Sequence, residues 1–251
     1  MIKKLFLLLL LSGIFVDSTY SQTPSPLPLP RLTLGVDRVE KPEDVSLSLQ
    51  ILILLTVLTL APSIMIMMTS FTRIIIVLHF LKQAMGSQQM PPGQIIIGMA
   101  LFVTFVIMSP VFKDVNDNAL QPYLNNRITQ DSAFTRSIEP FRTFMFKYTR
   151  EEDLALFVKY TDQNKPTNRD EIPTLTLIPA FALSELKTGF QMGFLLFIPF
   201  LMIDMIVSSI LMSMGMMMLP PAFVSLPFKI LLFILLDGWN LIVETLIKSF
   251  G

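Results

Sequence analysis

Long apolar stretches alternate with polar ones along this chain, and the first two apolar stretches carry no charged side chain. They comprise residues 45–68 and 94–112, and each is close to the length of about 20 residues that a membrane-spanning helix needs. Pro62 lies inside the first stretch and Pro110 near the end of the second, where proline bends or ends a helix. The pattern predicts a first kinked helical hairpin over residues 45–112.

The next two apolar stretches are interrupted by charges. Residues 188–218 contain only Asp204, whereas residues 222–246 contain three charged side chains. Charges are costly in a bilayer and usually face a protein interior or a wet cavity. We therefore predict a second helical hairpin over residues 175–251, and the fold class that we expect is an all-α polytopic membrane protein built from two long kinked helical hairpins.

A polar segment, residues 113–174, separates the two hairpins and has a helical pattern. Its large apolar side chains recur at helical spacing in two stretches, at Phe141, Phe144 and Tyr148 in the first and at Phe157 in the second. One interpretation is an amphipathic cap that packs on neighbouring helices of the same chain. We favour the other, a subunit interface, because so few residues cannot bury a core of their own.

The N-terminus has the three parts of a secretory signal peptide over residues 1–21. Two lysines precede an apolar run, residues 5–16, and small residues follow at a plausible cleavage site before Gln22. The alternative is an uncleaved N-terminal helix. Alternating prolines then favour extended chain, so residues 22–44 are predicted to form an exported proline-rich linker.

The composition supports the membrane class and excludes several chemistries. Only 15% of the 251 residues are charged, against about 25% in soluble domains, and the mean hydropathy is +0.62. The 19 basic and 19 acidic residues balance, so no global field favours nucleic acid. Cysteine is absent and His79 is the only histidine, which excludes thiol catalysis and a His-rich or Cys-ligated metal site. No phosphate-binding or nucleophile motif is present, so we expect no enzyme activity, no cofactor and no metal.

The distribution of positive charge predicts how the chain is oriented in the membrane. Arg73, His79 and Lys82 fall between the first two apolar stretches without any acidic residue, so this turn is expected to be cytoplasmic. The N-terminus and residues 113–174 would then lie on the outer side.

Five charged residues lie within or beside apolar sequence, and we predict that they form a buried network. Its members are Glu185, Lys187, Asp204, Lys229 and Asp237. The network either fixes helix register through salt bridges or relays protons, and we favour the structural role. Asp204 with Lys229 is the preferred pair, whereas residues two apart on a helix, such as Glu185 and Lys187, cannot face each other.

Methionines cluster near the end of the third apolar stretch. Five fall within seven residues, at Met212, Met214, Met216, Met217 and Met218. They are either ordinary apolar filler or a functional loop. The nearby glycine and proline pair favour a loop, and flexible thioethers would give it a soft apolar surface able to narrow a pore.

Several of these segments resemble a known family. PAFALSELKTGFQMGF and PFLMIDMIVSS, with the earlier MTSFTRIIIVLHFLKQAMG and PPGQIIIGMALFVTFVIMSPVF, resemble signature segments of the FliP/SctR family. Members of that family are export-gate subunits of flagellar and virulence type III secretion systems. The resemblance runs from about residue 47 to the end of the chain, with the motifs in the family's order.

The resemblance implies a ring-like helical pore, raised largely out of the bilayer, at the flagellar basal body in the bacterial inner membrane. Much of the chain would face the periplasm. Implied partners are further copies in a pentamer, FliQ-like and FliR-like membrane subunits, other export-apparatus components and unfolded substrates in transit. The methionine cluster would act as a gasket, and Arg73 would join the interface candidates.

Two other functions stay open at this point. One is a virulence injectisome paralogue with the same fold, although a signal peptide with an exported linker favours the flagellar branch. The other is a small-solute transporter subunit, against which stands the lack of a detectable inverted repeat.

Overall fold

The computed structural model describes most of the chain after the predicted linker. The described residues are 42–86, 91–161, 168–216 and 218–251. The predicted signal peptide, most of the linker and Met217 lie outside them. Residues 52–251 form one compact unit. Every regular element in the described part of the chain is helical, which confirms the predicted all-α class.

Nine α-helices are found within the described residues. The first three are α1 Pro42–Met67, α2 Phe71–Ala84 and α3 Gly93–Val115. A π-helical turn Asn116–Leu120 leads into α4 Gln121–Leu124, followed by α5 Gln130–Tyr148 and α6 Glu151–Thr161. A 3-10 turn Arg169–Glu171 precedes α7 Thr174–Ser213, and the last two are α8 Pro221–Leu235 and α9 Gly238–Lys248.

Within the described residues, three helical segments are long and apolar enough to cross a membrane. They are Leu49–Met67, Gly93–Leu124 and Thr174–Ser213, and the bent pair α8 and α9, which meet at 63°, would make a fourth if counted as one span. The apolar stretches predicted from sequence therefore form helices of spanning length. Helix α7 begins at Thr174, one residue before the predicted start of the second hairpin, and it extends the apolar stretch that begins at residue 188 towards the N-terminus.

Helix α2 lies where the sequence predicted a connecting turn. Ile74, Leu78 and Leu81 recur at helical spacing and are fully buried against α3 and α7. The segment predicted as a cytoplasmic turn is thus a central element of the core. The partners of its buried Arg73, Glu185 and Ser249, come from distant parts of the chain, so the local sequence did not reveal them.

A pair of glycines lets α2 approach α7 closely. A Cβ added at Gly189 would lie 3.2 Å from Ile76, and one added at Gly193 would lie 2.6 Å from the ring of Phe80. Small residues four apart allow two helix backbones to approach each other in this way. The two contacts advance in the same direction along both helices, so α2 and α7 run parallel.

Gly193→Ala is predicted to destabilise the protein by about 1–3 kcal/mol, because the new methyl group overpacks against Phe80. Gly98→Ala is the matched control, since a Cβ at Gly98 meets nothing within 4 Å. Alanine there should be neutral or stabilise α3 by about 0.5–1 kcal/mol. Thermal unfolding of the detergent-solubilised protein measures both, and equal midpoints for the two variants would contradict the packing described.

A second core joins the predicted insert to the rest of the chain. The Phe144 ring lies 5.8 Å from that of Phe181 on α7 and 5.9 Å from that of Phe250 after α9. Phe141 and Tyr148 pack against the same cluster, and Phe157 on α6 is half-buried. The insert therefore packs as a cap on the same chain, one of the two arrangements that the sequence allowed. Helices α3 and α7 and the C-terminal residues supply the core for Phe141, Phe144 and Tyr148.

The chain turns sharply between α8 and α9 at Asp237. This residue has a left-handed backbone with φ of 48°, a conformation that Asp tolerates better than most residues, and its side chain is exposed. The next residue must be small, since a Cβ on Gly238 would lie 2.3 Å from the ring of Phe233. Asp237 thus differs from the predicted buried network, because it forms a bend rather than a helix interior.

Candidate functional site

We call residues 212–218 the methionine segment, and its geometry begins with the end of α7. The amide of Gly215 donates to the carbonyl of Met212, and the amide of Met216 donates to that of Leu211, both at 3.0 Å. Gly215 has φ of +73°, so this is a Schellman-type helix end that needs glycine. Pro220 and Pro221 then start α8. The sequence thus produces a short loop between two rigid apolar helices.

The methionine side chains of this segment point away from the core. Met212, Met214, Met216 and Met218 are all exposed, and none belongs to either buried cluster. A run of exposed apolar side chains on a soluble surface is unusual and marks a contact site or a membrane-facing region. The fold itself does not need these side chains for packing.

A polar cluster, which we call the loop clamp, ties α7 to α8 below the loop. Lys229 Nζ lies 2.7 Å from Asp204 Oδ2 and donates to the carbonyl oxygen of Ala84 at 3.1 Å. Ser225 donates to Asp204 Oδ1 at 2.5 Å. Because Ala84 ends α2, the ammonium also lies at the negative end of that helix dipole. The clamp joins three helices just beneath the methionine segment.

Asp204→Ala should destabilise the protein more than Lys229→Met. Lys229 is buried whereas Asp204 is partly exposed, so removing the carboxylate strands a buried ammonium at a cost of about 3–5 kcal/mol. Removing the ammonium leaves a carboxylate that water and Ser225 can still solvate. The measurement is the yield and thermal midpoint of purified protein, in a double-mutant cycle with Asp204→Ala/Lys229→Met.

The double variant should recover much of the stability that Asp204→Ala loses, because it leaves no buried charge without a partner. Additive losses, with the double variant as poor as the sum of the two single variants, would show that the two side chains do not depend on each other.

Arg73 forms a second polar cluster, which we call the arginine hub. Its guanidinium binds the Glu185 carboxylate through two bonds, at 3.0 Å and 2.5 Å, and donates to the carbonyl and hydroxyl of Ser249 at 3.0 Å each. It also stacks 3.8 Å from the centre of the Phe250 ring, and Tyr148 donates to the Phe250 carbonyl. Four parts of the chain therefore meet at one buried arginine, which the family resemblance had placed among the interface candidates.

A third polar contact docks the insert on α7. Asp153 is buried, receives a hydrogen bond from Ser184 at 2.8 Å and is paired with Lys187. Burial acts to raise the pKa of Asp153, but the bonds from Lys187 and Ser184 and the charges of Lys187 and Arg150 outweigh it, so the pKa lies below its usual value. The carboxylate is held in its charged form.

The predicted network residues thus separate into distinct sites. Glu185 faces α2 and Lys187 faces α6, as their spacing of two requires. Asp204 and Lys229 lie together in the loop clamp, and Asp237 lies apart from both.

Sequence reasoning missed Ser225, Asp153 and Ser249. Ser225 could have been found, because it is a polar residue one helical turn before Lys229 in an apolar run. Asp153 gave no such signal, since it ends a run of three acidic residues that resembles an exposed first turn of a helix.

The structure offers little for covalent chemistry. An apolar cleft of about 320 Å³ lies among α2, α7, α8 and α9, and its one hydroxyl, on Thr245, already donates to the Leu241 carbonyl. His79 is exposed and its ring nitrogen lies 3.0 Å from the Ile75 carbonyl. Among the described residues, no group of three histidine or carboxylate side chains could hold a metal ion.

Comparison with known proteins identifies a family. The model of the FliP family matches residues 54–246. "Flagellar biosynthetic protein FliP" of Bacillus subtilis is 57% identical over 209 residues, which cover 83% of this chain and 95% of the relative. The proteins of the same name from Pectobacterium carotovorum and Aquifex aeolicus are 51% and 49% identical over 205 residues each, covering 82% and 81% of this chain and 80% and 86% of the relatives.

Proposed function

This chain belongs to the FliP family, and we propose that it is a core subunit of the flagellar protein export gate, whose methionine segment seals a protein-conducting pore. The family resemblance read from the sequence motifs is confirmed. The chain is a flagellar biosynthesis and export protein with membrane-spanning helices, and its relatives carry the flagellar name. The pore, its seal and its partners are the proposal.

The observation that carries the proposal is the contrast between a rigid base and a soft tip. The loop clamp joins α7, α8 and α2 through polar bonds of the buried Lys229 and the partly exposed Asp204, while the described methionine side chains above it are free of the core. Several copies arranged in a ring would bring these tips together around an axis. A constriction of apolar side chains excludes ions by dewetting, and flexible thioethers adapt to chains of varied sequence.

The length of α7 favours a pore that rises out of the bilayer. Its 40 residues extend about 60 Å, twice the hydrocarbon thickness of about 30 Å. Its N-terminal part packs on the insert through Asp153 and on α2 through Arg73, whereas its C-terminal part is largely apolar and exposed. We propose that the N-terminal part stands on the periplasmic side and that the exposed faces of α1, α3 and α7 contact other subunits and lipid.

The proposed assembly is a pentamer with FliQ-like and FliR-like membrane subunits and the rest of the export apparatus, located in the bacterial inner membrane. Co-purification of the full-length chain, with copies counted by native mass spectrometry, tests this. A ring containing several copies and the smaller membrane subunits supports the proposal. A monomer, or a simple dimer that carries a small solute, would favour a transporter instead.

A further inference from the structure

The methionine segment combines a readily oxidised atom with high exposure. The exposed fractions of Met212, Met214, Met216 and Met218 are 64%, 67%, 40% and 97%. Thioether sulfur is oxidised by peroxides where solvent reaches it. We propose that these methionines are a site of reversible oxidation by hydrogen peroxide, and that their oxidation opens the seal; this inference rests on the proposed function of the segment.

The reaction balances without any group from the protein. A lone pair of the thioether sulfur attacks one peroxide oxygen and the O–O bond breaks. The proton on the attacked oxygen passes to the departing hydroxide, so water leaves as the sulfoxide forms. The sulfur is oxidised by two electrons and the peroxide is reduced. Reversal takes two electrons from a pair of thiols on a methionine sulfoxide reductase, which releases the oxygen as water and leaves a disulfide on the reductase.

Oxidation would act on the property that makes the segment a seal. A sulfoxide is polar and accepts hydrogen bonds, whereas the thioether is apolar and flexible. A constriction lined by sulfoxides would therefore hold water and lose its barrier to ions. Since the four described methionines of the segment belong to neither buried cluster, the subunit should stay folded after their oxidation.

Other methionines of the same chain supply internal references. Met108 and Met145 are fully buried, so oxidant cannot reach them in the folded protein. Met202 and Met205 are 54% and 64% exposed, close to the segment's values, but they lie in the C-terminal part of the spanning helix α7, where lipid or neighbouring subunits would cover them. In the proposed pore the segment would border the aqueous lumen, whereas the core covers one reference pair and lipid or subunits cover the other, so the segment should react faster than both pairs.

The first measurement is site-resolved oxidation of the assembled complex in liposomes, followed by peptide mass spectrometry over a series of times after peroxide addition. The described methionines of the segment should gain oxygen at least about tenfold faster than Met108 and Met145. They should also react faster than Met202 and Met205. Equal rates at the segment and at the buried pair would overturn the inference.

The second measurement is solute leak from the same liposomes. Peroxide should raise the leak, and a pair of reductases that acts on both sulfoxide epimers should reverse the increase. A variant with leucine at all five methionine positions of the segment, which conserves size and leaves no thioether there to oxidise, should not respond to peroxide.

The two measurements together distinguish failure of the oxidation proposal from failure of the proposed seal. Fast oxidation without added leak, in a complex where alanine at the same positions does raise the leak, overturns the inference and leaves the seal in place. If neither peroxide nor alanine changes the leak, both the inference and the proposed seal fail.

Discussion

Glu185→Ala should nearly abolish accumulation of the protein in membranes. The Arg73 and Glu185 side chains are only 5% and 0% exposed, so the substitution leaves a buried guanidinium without its carboxylate. Stranding one member of a buried pair costs about 3–5 kcal/mol, a large part of the 5–15 kcal/mol that holds a typical domain folded. Arg73→Ala should have an effect of similar size, because it also releases Ser249 and the Phe250 ring. The measurement is the amount of protein in purified membranes and its thermal midpoint in detergent.

Lys248→Ala is the matched control for these variants. Lys248 pairs with Glu244 at 2.6 Å on the same C-terminal helix, but both side chains are largely exposed, so its loss should cost less than about 1 kcal/mol. A double variant, Arg73→Met/Glu185→Leu, should recover part of the loss, since it buries no unpaired charge. Accumulation of Glu185→Ala at the level of Lys248→Ala would show that the arginine hub does not stabilise the fold.

Replacing Met212, Met214 and Met216 together with alanine should raise ion leak through the assembled complex while the complex still forms. Shorter side chains widen the proposed constriction and let water enter it. Folding should be unaffected, because these side chains are exposed and lie outside both cores. Leak of a small solute, normalised to the amount of assembled complex, measures the effect.

The same three positions filled with isoleucine or phenylalanine should give the opposite defect. The seal should hold, but export should slow, because branched and aromatic side chains adapt to a passing chain less readily than thioethers. Met202→Ala/Met205→Ala is the control, since these methionines are as exposed but lie below the segment on α7. If alanine leaves the leak unchanged and isoleucine leaves export unchanged, the methionines are apolar filler.

The local sequence pattern was sufficient to predict the apolar helices and one polar contact. The apolar stretches form helices of spanning length because helix formation follows the local apolar pattern. Asp204 and Lys229 were paired from sequence because each is an isolated charge within apolar sequence, on consecutive segments of one expected hairpin. The structure places their charged atoms 2.7 Å apart.

The local sequence pattern could not predict contacts between segments that are far apart in the chain. Arg73 and Glu185 are 112 residues apart, so nothing local to Arg73 distinguishes a buried hub from an interfacial arginine. The same holds for Phe144, whose aromatic neighbours Phe181 and Phe250 come from the second half of the chain. The insert's own pattern therefore could not show that this face packs within the chain, and its role as a subunit interface stays a prediction.

Backbone turns account for the remaining differences. Asp237 lies in an apolar run, which predicted burial, but its left-handed conformation breaks that run into α8 and α9 and exposes the carboxylate. The close contact of Gly238 with Phe233 depends on this bend, and a hydropathy pattern contains no information about it.

Photo-crosslinking of a stalled export substrate tests the central claim most directly. A photoreactive residue is placed at Met218, at the tip of the methionine segment, or at Tyr160 on the insert, which is 80% exposed and serves as the control. The substrate carries a folded domain that cannot pass the gate. The proposed pore predicts a covalent product with the substrate from position 218 and none from position 160. Capture from position 160 alone, or from neither position in a complex that has stalled export, would contradict a path through the methionine segment.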